Sequence, residues 1–174
     1  GNSNNFVRKV KDLLKGGNID SAISECDKQK GSVANVIREA LGKYKIVDKD
    51  ASLDRDQKVA AVQKEVEEST SLELPMLEKN LVILSTLASV STLLGLLGTV
   101  TGMIRAFSAI ATAGAPDAVA LSSGISEALI NTALGIGTSA IAVIMYNVFT
   151  TKIDKMTYSI DEAGYSIAQN FAIK

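Results

Sequence analysis

The sequence predicts an all-α membrane protein whose long apolar helices extend into a polar helical region. Three features carry that expectation. Charge is unevenly spread: 14 of 18 basic and 14 of 19 acidic residues lie in 1–79, while 80–151 holds only Arg105, Asp117 and Glu127. Residues 81–104 carry no charge, and 118–151 is broken only by Glu127; a bilayer core needs about 20 apolar residues in a helix. In the polar part, apolar residues recur at three and four positions, the helical period.

The polar region reads as helices between short breaks. Phe6, Val10, Leu13 and Leu14 share one helical face. Gly16 and Gly17 end that helix, since glycine accepts the left-handed cap conformation. Asp20 is placed to cap a second helix running through Cys26 to about Gln29. Gly31 and Ser32 interrupt it, and Val33, Val36, Ile37, Ala40 and Leu41 mark a third. A charged connector is expected over 45–56, then an amphipathic helix marked by Val59, Val62 and Val66. Pro75, lacking a backbone donor, predicts a kink or break.

The two uncharged stretches read as a helical hairpin, turning at Gly114-Ala115-Pro116-Asp117, with Asp117 stabilising the start of the second arm. A chain of this size has too little protein to bury both arms. Lys79 precedes the first arm and Lys152 and Lys155 follow the second, while 112–117 has no basic residue; both ends are therefore expected in the cytoplasm and the turn outside it. Tyr146 and Phe149 suit the cytoplasmic interface.

Composition excludes several classes. A net charge of −1 gives no case for nucleic acid, and without histidine there is no His-based metal site, triad or proton relay. The single cysteine, Cys26, forms no internal disulfide framework and reads as a small semi-buried residue. No nucleophile–base or metal set is present, so neither an enzyme nor a bound cofactor is expected. The first residues are polar and charged rather than a signal peptide.

Each arm has a distinctive face. Ser85, Ser89, Thr92, Gly95, Thr99, Gly102 and Ala106 form one stripe of small and hydroxyl side chains on the first, and Gly98 with Gly102 adds a small-xxx-small pair. On the second, Ala128, Thr132, Gly135, Ser139 and Ala142 form another, beside Ser123, Glu127 and Asn131. Two readings fit: close helix packing through small residues, or a pore wall offering hydroxyls to water or a proton donor. Glu127 stands about 15 Å into its arm. An acid within a span is a functional-site hypothesis, and burial would disfavour its charged form; the competing reading is a glutamate hydrated at the surface. Arg105, at comparable depth, is a charge partner for Glu127 within or between subunits, or snorkels to the surface.

These residues also resemble a known family. Gly95-Leu96-Leu97-Gly98-Thr99-Val100, with Gly102-Met103-Ile104 and Phe107, resembles the second-transmembrane-helix motif of ExbB/TolQ/MotA proton-channel (stator) proteins. Gly124-Ile125-Ser126-Glu127-Ala128-Leu129-Ile130-Asn131-Thr132-Ala133-Leu134-Gly135-Ile136 resembles the third-helix motif, and Tyr146-Asn147 fits the ExbB/TolQ branch. The resemblance is firm over 80–151 and general before it. Two departures stand out: Thr92 lies where the family commonly has proline, and the family's earlier transmembrane helix has no counterpart here. That first span is expected to precede this sequence, with some residues following Lys174.

The resemblance implies a bacterial inner-membrane protein, closest to ExbB, assembled as a homo-oligomeric ring, a pentamer. The ring would enclose helices of an ExbD- or TolR-like single-span partner and act on a TonB-like protein. It implies a cytoplasmic helical region over 1–78, transmembrane helices over 79–111 and 117–151, a periplasmic turn over 112–116 and a cytoplasmic C-terminal helix over 152–174. Thr99 and Thr132 correspond to pore-lining threonines and Glu127 to a functionally important glutamate; Gly95, Gly98, Gly102 and Gly135 are left to helix packing. The expected function is a proton-driven motor energising outer-membrane transport. The alternatives are a TolQ-like role in envelope integrity and a passive scaffold of a secretion or motility complex.

Overall fold

The computed structural model describes residues 2–113 and 117–173, all of whose regular elements are helices: α1 (Asn2–Lys15), α2 (Ile19–Gln29), α3 (Ser32–Asp48), α4 (Arg55–Glu78), α5 (Leu81–Ala113) and α6 (Ala118–Ile173). The chain forms two compact units. One is built from 1–79 with 151–174, the other from 80–150. The 56-residue α6 contributes to both.

The first unit is a helical domain with a conventional core. Phe6, Val10 and Leu14 of α1 are buried as their spacing predicts, and Val7 joins them. Gly17, at φ 72°, closes α1: its N–H donates to Leu14 O (2.9 Å) and that of Asn18 to Leu13 O (3.0 Å). This doubly bonded left-handed cap is a Schellman motif. The restart falls two residues earlier than expected. Asn18 is the N-cap and Ile19 opens α2, so Asp20 sits in the first turn and does not cap. Its carboxylate instead accepts from Lys45 Nζ at 2.6 Å. That hydrogen bond and the lysine charge hold Asp20 below its ordinary value.

α3 is the central element, burying Val33, Val36, Ile37, Ala40, Leu41, Tyr44 and Val47. The Tyr44 ring stacks on Phe171 of α6 with centroids 4.2 Å apart. The expected connector is shorter than 45–56, because α3 continues to Asp48 and α4 opens at Arg55. A capping box opens α4: Asp54 Oδ1 accepts from Gln57 N (2.8 Å) while Gln57 Oε1 accepts from Asp54 N (2.9 Å). Val62 and Val66 are buried, and Gly164 of α6 packs so closely that an added Cβ would lie 2.8 Å from Val66 Cγ1. Pro75 does not end α4, which runs on to Glu78. Proline removes one donor, but the Pro75 carbonyl still accepts from Lys79 N at 3.0 Å.

In the second unit α5 and the first part of α6 pack antiparallel with their backbones almost touching. Gly95 faces Gly135, Gly102 faces Ala128 and Ala106 faces Gly124. A Cβ on Gly135 would lie 2.7 Å from both Gly95 Cα and Ser91 O, so only glycine permits this approach. The second stripe and the later part of the first, Gly95, Thr99, Gly102 and Ala106, are thus the seam between the two helices, whereas Ser85, Ser89 and Thr92 of the first stripe are exposed. Asp117 Oδ1 accepts from Val119 N (3.0 Å) and Ala120 N (3.2 Å), capping α6 as expected. α5 continues to Ala113, and the remainder of the turn expected over 112–116 lies outside the described residues.

Both arms are long and apolar enough to cross a membrane, and only 6% and 17% of their most apolar stretches are buried. Leu93, Leu94, Leu134 and Ile144 are all about 60% exposed. A buried hairpin of a water-soluble protein would cover such side chains, so lipid is the solvent they fit.

Gly137, on the same helix as Gly135, has open space where a Cβ would go. Gly135→Ala should destabilise the α5–α6 pairing by about 1–3 kcal/mol, as overpacking does, and Gly137→Ala should not; thermal unfolding in mild detergent separates the two. In the first unit, burial pushes the Cys26 thiol up to about 12. The folded chain therefore keeps its proton where the unfolded chain ionises, and stability should fall as pH rises from about 9 toward 12. Cys26 should resist alkylation at pH 8 until denaturant is added.

Candidate polar seam and charge pair

The seam brings together the two threonines singled out from sequence. Thr99 and Thr132 are both half-buried, and their hydroxyls are hydrogen-bonded to each other across the helices. Thr99 Oγ1 also lies 3.3 Å from the carbonyl oxygens of Gly95 and Ala128, and Thr132 Oγ1 3.4 Å from that of Gly95. The absent side chain of Gly95 lets Thr132 reach across. Two hydroxyl protons are shared among two carbonyls and the sister hydroxyls, so acceptor lone pairs remain on both oxygens. Further along, Ser139 Oγ donates to the carbonyl of Ala88. Sequence placed Ser139 in the small-residue stripe without foreseeing that bond.

Arg105 and Glu127 meet within one chain, Nη1 to Oε1 at 3.4 Å. The side chains are 73% and 55% exposed, so this chain does not supply the burial anticipated for Glu127. A pair this open contributes little by itself in water. Its significance is register: Gly102 against Ala128 and Ala106 against Gly124 hold the two charges opposite one another.

The four packing glycines divide. Gly95, Gly102 and Gly135 are buried in the seam, whereas Gly98 is partly exposed beside it and faces Asn131. A Cβ on Gly98 would fall 2.7 Å from Asn131 Cβ and 3.0 Å from its Nδ2. Asn131 was legible only as one of a row with Ser123 and Glu127; nothing in the sequence shows which residue it opposes.

Comparison with known proteins bears on the same segment. The family model described as the MotA/TolQ/ExbB proton channel family matches residues 28–162. A putative biopolymer transport protein ExbB-like 3 of Synechocystis is 38% identical over 86 residues, 48% of this chain and 41% of that protein. The Tol-Pal system protein TolQ of Pseudomonas aeruginosa is 31% identical over 124 residues, covering 71% of this chain and 54% of TolQ. The biopolymer transport protein ExbB of Salmonella typhimurium is 37% identical over 84 residues, 48% of this chain and 34% of ExbB. The matches thus span about half or less of each relative's length. With the family match reaching from α2 into the C-terminal part of α6, and both apolar arms inside it, the chain belongs to the MotA/TolQ/ExbB proton channel family.

Proposed function

We propose that this chain is a subunit of an inner-membrane, proton-driven motor of the ExbB type, assembled as a pentameric ring around an ExbD-like single-span partner. The ring would drive a TonB-like protein that energises outer-membrane transport. The paired hydroxyls of Thr99 and Thr132, in a chain of a proton-channel family, carry this reading.

A proton falling through about 100 mV releases roughly 2.3 kcal/mol, which is lost as leak unless proton movement is tied to motion. The seam suggests how. Its hydroxyl protons are engaged by carbonyls and by each other, while lone pairs remain. A protonated carboxylic acid on the partner finds an acceptor there directly. An ionised carboxylate must instead draw a hydroxyl proton away from a backbone carbonyl, or stay with water. The two protonation states therefore prefer different positions along the wall, and protonation becomes displacement. Arg105 and Glu127 act at the end of the hairpin nearest the turn, where the pair sets the local field for arriving protons.

A TolQ-like role in envelope integrity is the second reading, supported by the 31% identity to TolQ over 71% of this chain.

Thr99→Val keeps the shape and removes the hydroxyl. It should lower proton-linked work about tenfold or more, the scale of one hydrogen bond to a charged group, with assembly intact and Thr99→Ser retaining function. Full proton flux and uptake from an assembled Thr99→Val complex would sink the role assigned to the seam. Purification of the complete complex in mild detergent should yield a ring with a single-span protein; co-purification of a TonB-like rather than a TolA-like protein is the outcome expected for the ExbB reading.

A further inference from the structure

We propose that one flank of the 80–150 hairpin carries a water-filled track, running from the Arg105–Glu127 pair past Asn131 to Thr138 and Ser91, separate from the Thr99–Thr132 seam. Its ligand is water. The inference rests on the proposed function, since it requires the hairpin to stand in lipid.

A helix advances 100° per residue. On α5, Ser91, Gly98 and Arg105 are seven apart and lie within about 40° of one another. On α6, Glu127, Asn131 and Thr138 also lie within about 40°. Thr132 and Thr99 are each about 100° away from the adjacent track residue, Asn131 or Gly98. The two rows face each other across one open groove, lined by Ser91, Gly98, Asn131 and Thr138 and also by the apolar Leu94 and Leu134. Gly98 makes room in it: any side chain there would collide with Asn131. The exposed charges of Arg105 and Glu127 continue the same flank toward the turn end.

The groove differs from its surroundings in how its polar groups are satisfied. Thr86, Ser89, Thr101 and Thr150 return their hydroxyls to carbonyls of their own helix. Among the described residues, the side chains of Ser91, Asn131 and Thr138 have no hydrogen-bond partner. Asn131 carries two amide donors and a carbonyl acceptor, and an amide left unpaired in hydrocarbon costs several kcal/mol. Three such groups in one groove are the lining water requires. Acyl chains would leave the Asn131 amide unpaired.

The test uses the full-length protein with its partner subunits in native membranes, in a Cys26→Ala background. Asn131→Cys, Thr138→Cys and Leu129→Cys are each treated with a small water-soluble thiol reagent. Leu129 is 63% exposed and lies on the opposite side of α6 from the track. Cysteine is smaller than asparagine, so the Gly98 contact is preserved. Only the thiolate reacts, and it forms only where water reaches. Asn131→Cys and Thr138→Cys should both react about tenfold or more faster than Leu129→Cys. Rates no higher than the Leu129→Cys rate, or reaction at only one of the two positions, would overturn the track, because lipid or a neighbouring subunit would then seal it. The reaction reports water rather than work. An unlabelled groove leaves the Thr99→Val result standing, and failure of the Thr99 role leaves the labelling standing.

Discussion

The close approach of α5 and α6 at Gly95 and Gly135 is the constraint from which the rest of the membrane unit follows. In lipid, apolar side chains gain nothing by leaving one helix for another, so packing contacts and hydrogen bonds must hold helices together. Glycine opposite glycine removes the atoms that would keep the backbones apart. That contact fixes register. Register in turn brings Thr99 to Thr132, Ser139 to the Ala88 carbonyl, Arg105 to Glu127 and Gly98 to Asn131. A slip of one residue along either helix would turn these pairs to different faces, so the polar chemistry of the hairpin depends on two residues with no side chain.

The same chain solves a different problem at its other unit, and α6 shows both solutions on one helix. Between Ile160 and Phe171 its aliphatic side chains and Phe171 are buried in a core shared with Tyr44, Ile37 and Val62, while Tyr165 stays exposed. From Leu129 to Phe149 most of its large apolar side chains are exposed. The first pattern is held by the hydrophobic effect in water, the second by lipid solvation and a narrow seam. Between them the helix is unbroken. Surface ion pairs such as Lys9–Glu25 and Lys45–Asp20 decorate the first unit. In the described part of the second, Arg105–Glu127 is the sole ion pair, and it stands at the end nearest the turn.

What could be read in advance divides along the line between local and non-local information. Helix existence, the core face of α1 and α3, the stop at Gly17 and the cap at Asp117 are local, set by period and by residues of special conformation. Lys30 was not legible, because it holds φ 54°, a backbone region that lysine rarely adopts. The Asp54–Gln57 capping box carried its D-x-x-Q signature but lay hidden within a stretch read as a charged connector. The break allowed for at Pro75 is absent, because a lost donor weakens one turn without dictating where the helix ends. For the site, the stripes were readable but their meaning was not. Periodicity shows which residues share a face; it does not show that the face is a seam, nor which residue stands across it. Thr99 and Thr132 were singled out by family resemblance, whereas the Gly98–Asn131 opposition needed the register.

Two kinds of polar group in the hairpin follow from that register. Thr99, Thr132 and Ser139 lie where the helices meet, and their hydroxyls are absorbed by carbonyls and by one another. Such bonds are worth about 1 kcal/mol each, below the roughly 2.3 kcal/mol a proton releases per 100 mV. They are therefore strong enough to define a resting arrangement and weak enough for one proton to rearrange. Ser91, Asn131 and Thr138 lie a quarter-turn away, where the other helix offers them nothing, and their requirement must be met from outside the chain. A subunit that moved protons through satisfied groups alone would have to break its own packing at every step. With both kinds on one hairpin, the packing can hold while water on the flank exchanges, and only the threonine pair has to respond to a partner's change of charge.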